Sequence, residues 1–131
     1  MRTLIVEDDF TSRLFLQTYL SRFGECHIAI NGKEAVEAFR LSQKNGKPYD
    51  LICMDIMMAE MDGQAALREI RSIEEGVGTL STSGVKIIMV TALDDVKNVV
   101  KSFKSLCDAY VFKPVDTAEL LTHLKSLALV P

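Results

Sequence analysis

An α/β fold with an open, doubly wound parallel sheet is the class this sequence predicts. Three observations point to it: short apolar runs alternate with longer amphipathic segments, the alternation repeats five times, and most of the short runs are apolar at consecutive positions. Consecutive apolar residues suit a strand buried on both faces, as happens when helices cover both sides of a parallel sheet. Parallel neighbours also need a crossover between them, and the amphipathic segments supply it.

The first expected strand is Thr3-Leu4-Ile5-Val6, followed by a helix whose apolar stripe is Leu16, Leu20 and Phe23, at i, i+4 and i+7. The second is Cys26-His27-Ile28-Ala29-Ile30, where His27 suggests a sheet edge, and Ala35, Val36 and Phe39 mark the helix after it. A turn cluster, Lys44-Asn45-Gly46-Lys47-Pro48, leads into Leu51-Ile52-Cys53-Met54, and Ala66, Leu67 and Ile70 form the third stripe. The stretch from Glu74 to Gly84 is rich in Gly, Ser and Thr and reads as a loop before Ile87-Ile88-Met89-Val90. Val96, Val99, Val100 and Phe103 then predict a fourth helix, Ala109-Tyr110-Val111-Phe112 a fifth strand, and Leu120, Leu121, Leu124 and Leu127 a fifth helix.

The 131 residues, 48% apolar and 25% charged, match an ordinary globular domain and exclude disorder or a fibrous repeat. Five βα units use about 120 residues, so residues 1–131 are expected to form one domain with no output domain. The net charge of −3 argues against a basic surface for nucleic acid or anionic lipid. No apolar run approaches the ~20 residues of a membrane helix, and the N-terminus lacks a signal-peptide layout, so the chain reads as cytoplasmic. Cys26, Cys53 and Cys107 are odd in number, widely spaced and set in apolar sequence, so they read as reduced core residues; a zinc site would want paired ligands at short spacing, and His27 and His123 are far from any Cys pair.

In open α/β sheets, ligands bind beyond the carboxyl ends of the strands. Here the first strand runs into Glu7-Asp8-Asp9, the third into Asp55, the fourth into Thr91 and the fifth into Lys113-Pro114. Carboxylates roughly 5 Å apart repel by about 3 kcal/mol per pair at an effective dielectric near 20. Protonation, Lys113 or a divalent cation can offset this, and Mg²⁺ best suits an all-oxygen site that leaves positions for a phosphate. Asp55 could then attack phosphorus and form an acyl phosphate, with the Lys113 ammonium, the Thr91 hydroxyl and nearby backbone N–H groups neutralising the phosphoryl oxygens.

The motifs I-V-E-D-D-F at 5 to 10, M-D-I-M-M-A-E-M-D-G at 54 to 63, V-T-A at 90 to 92 and Y-V-F-K-P at 110 to 114 span the whole chain. Through them the sequence resembles the receiver domain of two-component response regulators, and within it the single-domain, chemotaxis-like type. The resemblance implies a (βα)5 flavodoxin-like sheet of order 2-1-3-4-5. It implies that Asp55 takes a phosphoryl group from a sensor histidine kinase or a histidine phosphotransfer protein. Asp9, Asp55 and the Met57 backbone carbonyl would bind Mg²⁺ directly, with Asp8 acting mostly through water. Thr91, the Ala92 backbone and Lys113 would contact the phosphoryl oxygens, Pro114 would follow a cis peptide, and Thr91 with Tyr110 would form the switch. Output would be non-covalent, through the face made by the fourth helix, fifth strand and fifth helix, toward a downstream protein or a second copy of the chain. Neither nucleic acid nor a membrane is an expected direct partner, and the only reactions expected are the chain's own phosphorylation and dephosphorylation.

Ordinary readings compete at single residues. Asp8 and Asp9 each suit a helix N-cap, and it is their combination with Asp55 and Lys113 that favours the metal site. Asp62-Gly63 reads as a turn or cap, and Met54, Met57, Met58 and Met61 as core packing and loop cover. Lys97, Lys101 and Lys104 read as a solvated helix face that could join the output surface. A haloacid-dehalogenase-like phosphatase would carry a second Asp two residues after the nucleophile, where Met57 stands, and a flavin or nucleotide carrier would need a phosphate loop after the first strand. Against the resemblance, Ala59 replaces a frequent Pro, and Leu106-Cys107 replaces a frequent Gly-Ala. Met57 and Leu93 cannot orient a water, so slow hydrolysis of the acyl phosphate is expected.

Overall fold

The computed structural model describes residues 1–58, 60–79, 83–92 and 106–131. Five strands, β1 (Thr3–Val6), β2 (Cys26–Ala29), β3 (Leu51–Asp55), β4 (Lys86–Thr91) and β5 (Ala109–Phe112), form one sheet of order β2-β1-β3-β4-β5, all neighbours parallel. Helices α1 (Phe10–Leu20), α2 (Gly32–Lys44) and α3 (Gly63–Gly76) and a C-terminal helix (Thr117–Ser126) pack on it. The chain thus has the doubly wound, flavodoxin-like architecture. The fourth helix expected over Val96 to Phe103, with Lys97, Lys101 and Lys104, lies outside the described residues, as do Ala59 and Leu93.

Strand alternation divides the core in two. Leu4 and Val6 of β1, Ile52 and Met54 of β3 and Ile87 and Met89 of β4 meet Ala35, Val36 and Phe39 of α2 and Ala66, Leu67 and Ile70 of α3. On the opposite face Ile5, Cys53, Ile88, Val90 and Val111 meet Leu16, Tyr19 and Leu20 of α1 and Leu120 and Leu124 of the C-terminal helix. The expected stripes of α1, α2 and α3, and Leu120 and Leu124 of the C-terminal helix, are therefore core, and Phe23 joins them from a 3-10 turn, Ser21–Phe23, that ends α1. All three cysteines are free thiols; Cys53 is fully buried, and burial pushes its thiol up to about 12, so it is inert packing. His27 does sit on the edge strand, its Nδ1 2.8 Å from Tyr49 Oη. Among the described residues no helix is long and apolar enough to cross a membrane.

Each of the four α-helices among the described residues starts on a side chain that satisfies an otherwise unpaired backbone N–H: Asp9, Asn31, Asp62 and Asp116 accept from Ser12, Glu34, Ala65 and Ala118 respectively. Asp62 is thus the cap its sequence suggested. The stretch from Glu74 is not all loop. Helix α3 continues to Gly76 and Glu74 is buried, because its carboxylate pairs with Arg71 one turn earlier at 2.7 Å.

Candidate functional site

The carboxyl ends of β1, β3, β4 and β5 converge because the register sets them level: Val6 pairs with Met54, Asp55 with Val90, and Thr91 with Phe112. The residues following those pairs form one pocket rim. Asp55 ends β3 almost fully buried, and Thr91 ends β4 fully buried, its Oγ1 directed to the Ala92 carbonyl at 3.3 Å. Lys113 follows β5, tied down by its backbone N–H donating to Thr91 O at 2.8 Å, and the Lys113–Pro114 peptide is cis.

The loop after Asp55 is held from three sides. Ile56 N–H donates to Val90 O, Gly63 N–H to Ile56 O, and Gly32 N–H at the start of α2 to Met61 O. Glu60 and Met61 take left-handed backbone, with φ of 47° and 74°. Gly63 is required by close approach, since a Cβ there would lie 2.2 Å from Asp55 O. Met54 is core and Met58 and Met61 pack against it, whereas Met57 is 59% exposed at the mouth of the site.

One expected ligand lies elsewhere. Oxygens of Glu7, Asp8 and Asp55 all fall within 4.8 Å of one another, but Asp9, expected to bind metal directly, is outside this cluster and caps α1, its Oδ2 2.9 Å from Ser12 N. The carboxylates that the fold gathers beside Asp55 are thus Glu7 and Asp8, one residue earlier than the Asp8-Asp9 doublet. Glu7 continues the alternation of β1 on the side of Ile5, so it points inward with no exposure, while Asp8 faces solvent at the rim. The alternation of Ile5 with Glu7 was the available signal, outweighed by the more obvious Asp-Asp doublet.

The electrostatics follow from this placement. Burial pushes the Glu7 carboxyl up to about 7, although Lys113 and the Asp9 N–H, 3.1 Å from Oε2, oppose the rise. Lys113 Nζ sits 2.7 Å from Glu7 Oε1 and 3.4 Å from Asp55 Oδ2. Burial disfavours its charge, but these two carboxylates outweigh burial and raise its pKa. The hydrogen bonds from Ser12 hold the exposed Asp9 carboxyl below its ordinary value, as befits a cap. The Lys113 contact to Glu7 Oε1 is off the line of a hydrogen bond, which leaves that buried oxygen without an aligned donor among the described residues. A buried oxygen of this kind beside two further carboxylates is a donor set fitted to a hard cation. Tyr110 on β5 is half-buried against the α2 and α3 side of the core, its ring 5.6 Å from that of Phe112.

The response regulator receiver domain profile matches residues 3–125. The chain belongs to the response regulator receiver domain family. This receiver is 34% identical over 127 residues to a probable transcriptional regulator, ycf27, of Cyanophora paradoxa, covering 96% of this chain and 47% of that protein. It is 35% identical over 125 residues to the transcriptional regulatory protein SrrA of Staphylococcus aureus, covering 95% and 46%. The chain spans about half the length of these relatives. Among solved structures, the receiver domain of the Arabidopsis thaliana histidine kinase CKI1, complexed with Mg²⁺ and BeF3⁻, superimposes with a TM-score of 0.81 at 28% identity, covering 98% of this chain and 90% of that one. The receiver domain of the Pseudomonas aeruginosa sensor histidine kinase PA1611, with magnesium in its active-site cleft, gives 0.76 at 25% identity, covering 97% of both.

Proposed function

We propose that this receiver accepts a phosphoryl group on Asp55 from the phosphohistidine of a sensor histidine kinase or histidine phosphotransfer protein, and that the phosphorylated form signals non-covalently to a downstream protein. The observation that carries the reading is the setting of Asp55: a buried carboxylate at the end of β3, with Lys113 Nζ 3.4 Å away and two further carboxylates beside it.

An Asp55 oxygen forms the new P–O bond as the P–N bond of phosphohistidine breaks, and the bonding pair leaves with the imidazole, which gains a proton. The Lys113 ammonium lies where it can move from Glu7 onto a phosphoryl oxygen, and the Thr91 hydroxyl and Ala92 backbone border the same space. Asp8 and Asp55, with Glu7 behind them and the Met57 carbonyl, are the groups that would hold Mg²⁺. When bound, that ion supplies positive charge between the carboxylates and the phosphoryl oxygens. Solved receivers complexed with magnesium support the assignment by likeness.

Phosphoryl contacts at Thr91 and Lys113, on the ends of β4 and β5, would bias Tyr110 and the face beside β5 and the C-terminal helix toward the signalling arrangement. That face also includes the expected fourth helix, which lies outside the described residues, and it is the proposed surface for a target or a second copy of the chain.

The test is incubation with Mg²⁺ and acetyl phosphate followed by intact mass. Wild type gains one phosphoryl group and Asp55→Asn gains none; loading of Asp55→Asn at the wild-type level refutes the assignment.

A further inference from the structure

A second charged cluster lies at the far end of the sheet from Asp55, and the phosphoryl chemistry does not use it. Arg71 of α3 is only 8% exposed. Its Nε donates to Leu106 O at 2.8 Å, Nη1 to Glu74 Oε1 at 2.7 Å and to Val85 O at 2.8 Å, and Nη2 to Asp108 Oδ2 at 3.0 Å. The two carboxylates reach onward to backbone: Glu74 Oε2 accepts from Val85 N at 2.7 Å, and Asp108 Oδ2 from Ile87 N at 2.8 Å. Gly84 makes room, since a Cβ there would lie 2.3 Å from the Glu74 carboxylate.

One guanidinium therefore joins α3 to the residues that open β4 and precede β5. Buried ion clusters contribute little net stability over apolar packing, because desolvation offsets their attraction. What this one does is fix geometry: a planar fork with donors in set directions specifies where several backbones lie relative to one another, which a lysine cannot do. The other end of α3 is fixed to the acceptor loop, by Gly63 N–H on Ile56 O and by the packing of Gly63 against Asp55 O. A single helix thus runs from the Asp55 loop to the base of β5, two residues before Tyr110.

We infer that Arg71, with Glu74 and Asp108, is a positioning device that couples the acceptor loop to the Leu106–Phe112 segment through α3, so that phosphorylation at Asp55 is felt at Tyr110. The inference rests on Asp55 being the acceptor. The hydrogen bonds of Arg71 go to Leu106, Glu74, Val85 and Asp108 and to none of Asp55, Thr91 or Lys113, so uptake of phosphate persists without the cluster even though its effect at Tyr110 does not.

Hydrogen–deuterium exchange over residues 106–112, measured before and after loading with acetyl phosphate and Mg²⁺, reads the coupling. Wild type is expected to change uptake there on phosphorylation, and Asp55→Asn to remain unchanged. Arg71→Met and Asp108→Asn are expected to take up phosphate as wild type does while losing more than half of that change. The second variant keeps an acceptor for Ile87 N–H and decides the matter if the first does not fold. A loaded variant with the full wild-type response overturns the inference, and so does a folded variant that no longer loads. Failure of wild type to gain the phosphoryl group in the intact mass overturns the acceptor reading and this inference with it.

Discussion

The ammonium of Lys113 lies closer to Glu7, at 2.7 Å, than to Asp55, at 3.4 Å. The cation at the mouth of the site is thus held mainly by the fully buried Glu7 carboxylate rather than by Asp55, and under the proposed function it would reach a phosphoryl oxygen by a small shift. Removing one partner of a buried pair leaves the other uncompensated, which is the costly event.

Lys113→Ala is therefore expected to destabilise the metal-free protein by about 1–3 kcal/mol at pH 8, where Glu7 and Asp55 would face each other without a cation. At pH 5 the loss shrinks, because Glu7 can take up a proton. Urea unfolding at the two pH values checks this; an equal loss at both would show that the pair does not offset the Glu7 charge.

Glu7 also sets a pH dependence for the wild-type protein. Its carboxyl is raised by burial to about 7 from an ordinary value of 4.5. The folded state therefore holds a proton that the unfolded state releases earlier. The resulting stability is fully present below about pH 4.5 and is lost as pH rises through about 7, by an amount on the order of 3 kcal/mol. In chelator, wild type should lose stability from pH 5 to 8 by more than Glu7→Gln does. Magnesium affinity should move the opposite way, rising through pH 7 as the proton leaves the carboxylate cluster, and calorimetric titration with Mg²⁺ at both pH values measures it.

The geometry predicts separate roles for the adjacent aspartates, Asp9 as the cap of α1 and Asp8 as part of the carboxylate cluster. Asp9→Ala removes the cap of α1 and should cost about 1 kcal/mol of stability while leaving Mg²⁺-dependent loading at Asp55 intact. Asp8→Ala removes an exposed carboxylate of the cluster and should abolish loading with little change in the unfolding midpoint. The reverse pattern in acetyl phosphate labelling would return Asp9 to the metal site.

Much of the fold was legible because its signals are local and periodic. Consecutive apolar residues marked the five strands, with β5 at its observed bounds, and Ala66, Leu67 and Ile70 marked the buried face of α3. The converging strand ends pointed to Asp55, Thr91 and Lys113 because topology, rather than neighbouring sequence, brings them together. Two departures from the sequence expectation have the same origin, a local compositional signal overriding longer-range geometry. The Asp8-Asp9 doublet looked like the acidic pair, but the alternation of β1 turns Glu7 inward and leaves Asp9 to begin a helix. The Gly, Ser and Thr content after Glu74 looks like loop, but Glu74 stays helical with its carboxylate bound by Arg71 and by Val85 N–H, while Arg71 in turn binds Asp108. No sequence period announces partners 11 and 37 residues apart.

Met57 provides the last test, on the lifetime of the acyl phosphate. It stands two residues beyond Asp55, 59% exposed at the mouth of the site, and its thioether is a weak acceptor that cannot donate to or align an attacking water. Hydrolysis of phosphorylated Asp55 should therefore be slow, with a lifetime beyond seconds in Mg²⁺ buffer. Met57→Gln places a donor and an acceptor at the same position. If that amide contributes one hydrogen bond of about 1 kcal/mol to the attacking water in the transition state, dephosphorylation accelerates roughly fivefold. Phosphoryl loss followed by intact mass after removal of acetyl phosphate measures both rates. A wild-type lifetime of seconds or less, or a Met57→Gln rate equal to wild type, would show that access of water is controlled elsewhere on the rim.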